Sequence, residues 1–160
     1  MHCANFSVPN LTSGLRCLYF HWGVAQQKSN LPKLMNIDLS LVQRELDRLV
    51  VTEVLRDVLG QIEDFRFLFV ATANEKQICE PVRGYRLSRL PGKGPGSQMW
   101  AAYQAICDRG IPLRVSLPYV GDIPGIKITE ELFLPLSSDG ETLDLIINGV
   151  ILKASITMAK

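Results

Sequence analysis

The stretch KITEELFLPLSSDGETLDLIINGVILK, Lys127 to Lys153, constrains the fold more than any other part of the chain. Ile128, Leu132, Leu134 and Leu136 fall in one period-2 register interrupted only by Glu130, and Leu143, Leu145, Ile147 and Ile151 share another. Such alternation marks a strand with one face in a core. Asp139-Gly140, between the two runs, supplies the local bend and the positive φ that a hairpin connection requires. Phe133, Ile146, Val150 and Leu152 occupy the opposite faces. A hairpin apolar on both sides has to be covered on both, by helices, by a ligand or by another chain. We expect Leu134 and Ile147 to meet a crossover helix and a pocket. Phe133, Ile146 and Val150 are then left to an N-terminal helix or a second subunit.

Upstream, Leu11, Leu15, Leu18, Tyr19 and Trp22 share one helical face, which predicts a helix from about Thr12 to Gln27 capped by Thr12 or Ser13. Cys17, Phe20 and Val24 form a second apolar stripe on that helix. One stripe is enough to pack the helix on its own domain, so the second points to a further contact. Asp38 or Ser40 starts a short helix, and RLVVTEVLRD reads as a strand. After a turn over Gly60 to Asp64, FRFLFVAT alternates Phe65, Phe67 and Phe69 against Arg66, Leu68 and Val70. PGKGPG, Pro91 to Gly96, is the clearest loop. Ser97 then caps a helix running to Arg109, with Gly110 as its left-handed stop and Pro112 beyond. PLRVSLPYV is the next strand, and the hairpin follows. This order makes an α+β fold with a single, mainly antiparallel five-stranded sheet covered by helices. We divide it into an N-terminal dimerisation helix over 1–30 and a domain over 31–155.

With 160 residues, 47% of them hydrophobic and 21% charged, the chain has the composition of one folded domain. A formal net charge of +1, evenly spread, makes no electrostatic claim on nucleic acid or an anionic membrane. Cys3, Cys17, Cys79 and Cys107 are scattered without a CxxC pair, a pattern of buried thiols in a reducing compartment. Neither a signal peptide nor a membrane-spanning run is legible, so the expected location is the cytoplasm.

Three segments carry a family resemblance. RCLYFHWGVAQQKSNLPKLMNIDLSLVQREL resembles the opening of small single-domain bacterial PAS proteins, with an aromatic-Trp helix followed by a Leu-Pro … Ile-Asp connector. FRFLFVATANEKQICEPVRGYRLSRL is similar to that family's next block, with Ala71-Thr72 in place of Gly-Thr and Gly84-Tyr85-Arg86-Leu87 in place of Gly-Arg-x-Leu. ELFLPLSSDGETLDLIINGV resembles its closing hairpin. The resemblance covers about Leu15 to Leu152 and implies a PAS-like fold and a sensory or regulatory module. It identifies no ligand or cofactor.

Candidate chemistry is sparse. GKGPGSQ places glycines and Lys93 before a helix N-terminus, but it lacks the spacing of a P-loop and reads as a surface connector. His21 sits on the N-terminal helix, the wrong element for a haem ligand. Cys79 has Ile78, Glu80 and Pro81 beside it, not the neighbours of a flavin-reactive cysteine. Glu130 and Glu131 point to opposite faces of one strand and cannot act as a pair. No nucleophile-base arrangement or metal set can be assembled from two histidines.

What remains is apolar. Phe67, Phe69, Trp100, Tyr103, Cys107, Leu134 and Ile147 are the expected lining of a pocket where the crossover helix covers the sheet. Leu15, Leu18, Tyr19, Trp22 and Phe133, or the Cys17/Phe20/Val24 stripe, are the expected homodimer contact. The functional expectation is a non-catalytic PAS-like regulator that binds a small molecule, a signalling partner protein or both. The alternative is a small cone-shaped isomerase or dehydratase, which needs a buried acid–base pair in its cavity.

Overall fold

The computed structural model describes residues 10–27, 29–72 and 84–154. Helix α1 (Ser13–Gln26) leads through a short 3₁₀ turn at Leu34–Asn36 to helix α2 (Leu39–Gln43). Strands β1 (Arg48–Arg56) and β2 (Ile62–Thr72) follow, then a 3₁₀ turn at Leu87–Arg89 and helix α3 (Gln98–Arg109). Strands β3 (Leu113–Pro118), β4 (Ile126–Leu136) and β5 (Leu145–Ala154) complete one five-stranded sheet in the order β2-β1-β5-β4-β3. Every neighbouring pair is antiparallel. The fold is α+β, as the element order implies.

Local chemistry sets the helix ends. Asp38 Oδ1 accepts from the amides of Ser40 (3.1 Å) and Leu41 (3.4 Å), which caps α2. Ser97 Oγ accepts from the Trp100 amide at 3.1 Å, and Gly110 ends α3 at φ 65°, the left-handed conformation glycine adopts without strain. Thr12 precedes α1 but makes no cap bond with its side chain; its hydroxyl donates instead to Glu130 Oε2 at 2.8 Å. That bond ties the start of α1 to β4.

Two hydrophobic cores lie on the two faces of the sheet. Leu15, Leu18, Trp22 and Ala25 of α1 and Val42 and Leu46 pack with Leu132, Leu134, Leu136, Leu145 and Ile147. On the other face, Ala102, Tyr103 and Ile106 of α3 pack with Val54, Phe65, Leu113, Val115, Phe133 and Ile146. Both faces of the hairpin are therefore covered within one chain, but the expected assignment is reversed. Leu134 and Ile147 meet α1, while Phe133 and Ile146 meet α3. Period 2 identifies which residues share a face; it carries no information about which helix covers that face.

The dimer expectation changes with it. Leu15, Leu18 and Trp22 are buried in their own domain, Tyr19 packs against the same core and Phe133 is fully buried on the α3 side. Helix α1 thus belongs to the same packed unit as the rest, and the division at residue 30 separates no independent core. Of the second stripe, Cys17 also packs against this core, whereas Phe20 and Val24 do not. Phe20 is 65% and Val24 44% exposed, on the side of α1 away from the sheet.

A β-bulge corrects one further expectation. Val51 pairs with Phe69 but Thr52 pairs with Phe67, so Leu68 is an extra residue in β2. The bulge moves Phe69 to the α1 face, beside Ala71, while Phe65 and Phe67 stay on the α3 face. Pro135 lies past the β3 ladder, which ends at Phe133, so its missing N–H leaves no bond unmade on that side. Its carbonyl accepts the Trp22 indole N–H at 2.8 Å.

Gly14 marks the closest approach of α1 to the chain beyond α2: a Cβ there would lie 2.0 Å from the Glu45 carbonyl oxygen. Gly23, in the same helix, has open space. Gly14→Ala should lower stability by about 1–3 kcal/mol through overpacking against backbone. Gly23→Ala should raise it by about 0.5–1 kcal/mol through helix propensity. Urea melts of the two variants check the pair, and equal effects would contradict the packing described.

Candidate ligand-binding cavity

On the α3 face the sheet is not fully covered. Helix α3 packs over Phe65, Val115 and Phe133, and beside its N-terminal end a cavity of about 380 Å³ lies between the loop before α3 and strands β1, β5, β4 and β3. This is the size of an ordinary small-molecule site. Val50, Phe67, Leu87, Met99, Leu117 and Val150 supply apolar walls. Arg48, Lys93, Thr129, Glu131 and Asn148 supply the polar groups.

The deepest polar groups come from neighbouring strands through plain alternation. Thr129 and Glu131 are two apart on β4, and Asn148 lies on β5, whose Val150 pairs with Glu131. Glu131 is 2% and Asn148 3% exposed. Thr129 Oγ1 donates to Glu131 Oε1 at 2.6 Å, and Asn148 Nδ2 donates to Oε2 at 2.8 Å. Asn148 Oδ1 is buried without a hydrogen-bond partner. Nearby, the Tyr103 hydroxyl and Thr52 Oγ1 share a hydrogen bond of 3.1 Å, and burial pushes the phenol well above its usual range.

The two adjacent glutamates respond oppositely to their surroundings. Burial pushes Glu131 up, beyond what the Thr129 and Asn148 hydrogen bonds and the charges of Lys93 and Arg48 pull back. At Glu130 burial also pushes upward, but it is outweighed by hydrogen bonds from Lys153 and Thr12 and by the charges of Lys153 and Arg114. Its carboxyl is held below the ordinary range. Arg114 lies 3.2 Å from Glu130 Oε1, and Lys153 pairs with Oε2. Glu130 is thus a structural anchor on the α1 face, and Glu131 is a buried acid in the cavity.

Of the residues expected to line a pocket, Phe67 and Tyr103 do. Phe69, Leu134 and Ile147 belong to the α1-side core. Trp100 and Cys107 pack against the α3-side core outside the cavity; Trp100 stands edge-on to Phe65 at 5.1 Å, and burial pushes the Cys107 thiol up to about 12. Sequence reading missed Glu131, Asn148 and Thr129. Their signal was present: polar residues in register with Phe133 and Ile146 on otherwise apolar strands. It also missed that Gly92, Lys93, Gly96 and Ser97 of the glycine-rich loop border the cavity.

His21 stands edge-on to Phe20 on α1, away from the cavity. Cys79, Cys3 and His2 lie outside the described residues. Among the described residues no group of three or more His, Cys, Asp and Glu side chains could hold a metal ion, and no helix is long and apolar enough to cross a membrane. Comparison with family models, curated proteins and solved structures finds no match to this chain.

Opposite shifts at neighbouring positions give opposite pH dependences. Glu131, raised in the folded state, favours folding below its unfolded pKa, and that contribution is lost as pH rises through its folded value. Glu131→Gln should therefore gain stability relative to the parent as pH rises above the ordinary carboxyl range. Glu130, lowered, contributes above its unfolded pKa and loses that contribution as pH falls through its folded value. Glu130→Gln should cost about 1–3 kcal/mol at neutral pH, shrinking in acid. Denaturant melts from acid to neutral pH check both signs.

Proposed function

We propose that this chain is a PAS-like sensory or regulatory domain that binds a small molecule without transforming it. The observation that carries the reading is the cavity beside α3, walled by apolar side chains and ended by the buried Glu131–Asn148–Thr129 cluster. Burying a carboxyl and an amide costs stability where a polar atom is left without a hydrogen bond, as Asn148 Oδ1 is. The chain order supports the PAS-like part: two adjacent strands, a helical crossover and a three-strand meander that returns beside the first strand. The resemblance of three sequence blocks in the same order supports it as well.

A small acid–base enzyme is the second reading, favoured by Glu131 and the Tyr103 hydroxyl sharing one cavity. Against it, both Glu131 oxygens already accept hydrogen bonds, and the Tyr103 hydroxyl is engaged by Thr52. Helices on both faces of the sheet also depart from a cone open at one end. The two readings part on the fate of the ligand. Fragment screening by NMR should shift signals of Phe67, Tyr103 and Asn148, and the bound compound should be recovered unchanged after prolonged incubation. Turnover abolished by Glu131→Gln would establish the enzyme instead, and a library that shifts none of these residues would remove both.

The exposed Phe20 and Val24 on α1 support a homodimer formed through that outer stripe. Phe20→Asp should convert a dimer to a monomer without unfolding it, as read by light scattering at micromolar concentration. A monomeric parent chain would end this part of the proposal.

A further inference from the structure

The polar groups of the cavity are sorted by kind. Its more exposed part carries donors and positive charge: Lys93, Arg48 and the first turn of α3 at Ser97 and Gln98. The first amides of a helix have no acceptor within it, and the helix dipole makes that end positive. The deep part carries acceptors. Glu131 has used one lone pair on each oxygen, and a carboxylate offers about four acceptor directions. Asn148 gives its amide N–H to Glu131, which leaves Oδ1 as a second acceptor, buried and unpartnered. Between the two ends the walls are apolar, from Val50, Phe67, Leu87 and Leu117.

We propose that the cavity takes a small amino-acid-like zwitterion, its carboxylate at Lys93 and the first turn of α3 and its ammonium at Glu131 and Asn148 Oδ1. The assignment rests on the reading of this cavity as a ligand site. An ammonium brings three N–H donors, enough to reach both Glu131 oxygens and Asn148 Oδ1, whereas a hydroxyl brings one. It also adds positive charge beside a buried carboxylate that Lys93 and Arg48 compensate only in part. A carboxylate at the other end meets charge-assisted donors and a helix N-terminus. The apolar walls then accept an aliphatic or aromatic side chain. A ligand with only an acid or only an amine would leave one end of the cavity unmatched.

The test pairs each zwitterion with its one-charge relatives: leucine with isocaproate and isoamylamine, phenylalanine with hydrocinnamate and phenethylamine. Calorimetry and NMR shift mapping on the full chain should show the amino acid binding about tenfold or more tighter than either relative, the scale of one charge-assisted contact. Glu131→Gln should remove that advantage over the acid. Lys93→Gln should weaken the amino acid and the acid, but not the amine. Preserved amide spectra show that each variant is folded. Equal binding of a zwitterion and one of its relatives overturns the proposal, as does binding of unrelated fragments at Phe67 and Asn148 while the whole panel fails. In the latter case the cavity is still a ligand site. If no compound of any kind shifts these residues, both readings fall together.

Discussion

The β4–β5 ladder, running from Ile126↔Ala154 to Leu136↔Leu145, is the constraint on which the rest of the structure depends. Its residues are buried over most of their length, because α1 covers one face while α3 and the loop bordering the cavity lie over the other. Each strand is therefore read twice, once by each core. Any polar side chain placed there has to find its partners inside the protein, since water is excluded. Glu130, Glu131, Thr129 and Asn148 are the exceptions to the apolar pattern, and all of them are engaged in hydrogen bonds. The chemistry of the chain is concentrated where the fold is least tolerant of it.

That concentration also explains what could be read from the sequence. Ser97 and Gly110 announce the ends of α3 because their roles are local: one hydroxyl meets one amide, and one glycine adopts one left-handed φ. The hairpin registers were legible for the same reason, since alternation is a property of a single strand, except at Leu143, which precedes β5 and packs against the α3-side core. Which helix covers which face is not local. Leu134 and Phe133 are equally apolar, and their assignment follows from the path of the chain through three dimensions. Phe69 illustrates a second limit. One extra residue at Leu68 reverses the parity of everything after it, and nothing in the composition of FRFLFVAT signals the bulge. The candidate site was hidden by a bias toward aromatic residues. Phe67 and Tyr103 do line the cavity, but the groups that distinguish it from a filled core are Glu131 and Asn148.

Trp22 and Glu130 are two long-range polar fastenings of α1 to the sheet. The indole N–H reaches the carbonyl of Pro135, and Thr12 reaches Glu130 near the middle of the same strand. Together they fix the helix along β4, with Gly14 permitting its close approach to Glu45. The outer stripe of Phe20 and Val24 is thereby held at a defined position relative to the sheet, which the proposed dimer contact requires.

Glu130 and Glu131 are consecutive, so the anchor of α1 and the acid of the cavity share one peptide unit. On the proposed reading, a ligand group drawn to Glu131 would act on a β4 position whose neighbour holds the start of the helix. No chain of intermediates is needed between the two, only the thickness of one strand. Adjacency by itself transmits nothing, however. Occupation of the cavity changes the presentation of Phe20 and Val24 only if the ligand binds one sheet–helix packing more tightly than another. The physical requirement is that filling the Glu131 site alter the geometry at which Thr12, Arg114 and Lys153 meet Glu130. Two of these three partners come from β3 and β5, on either side of β4, so a small twist of β4 changes their distances in opposite senses. The two attractions then change with opposite sign, so a shift of β4 strengthens one ion pair at Glu130 at the expense of the other.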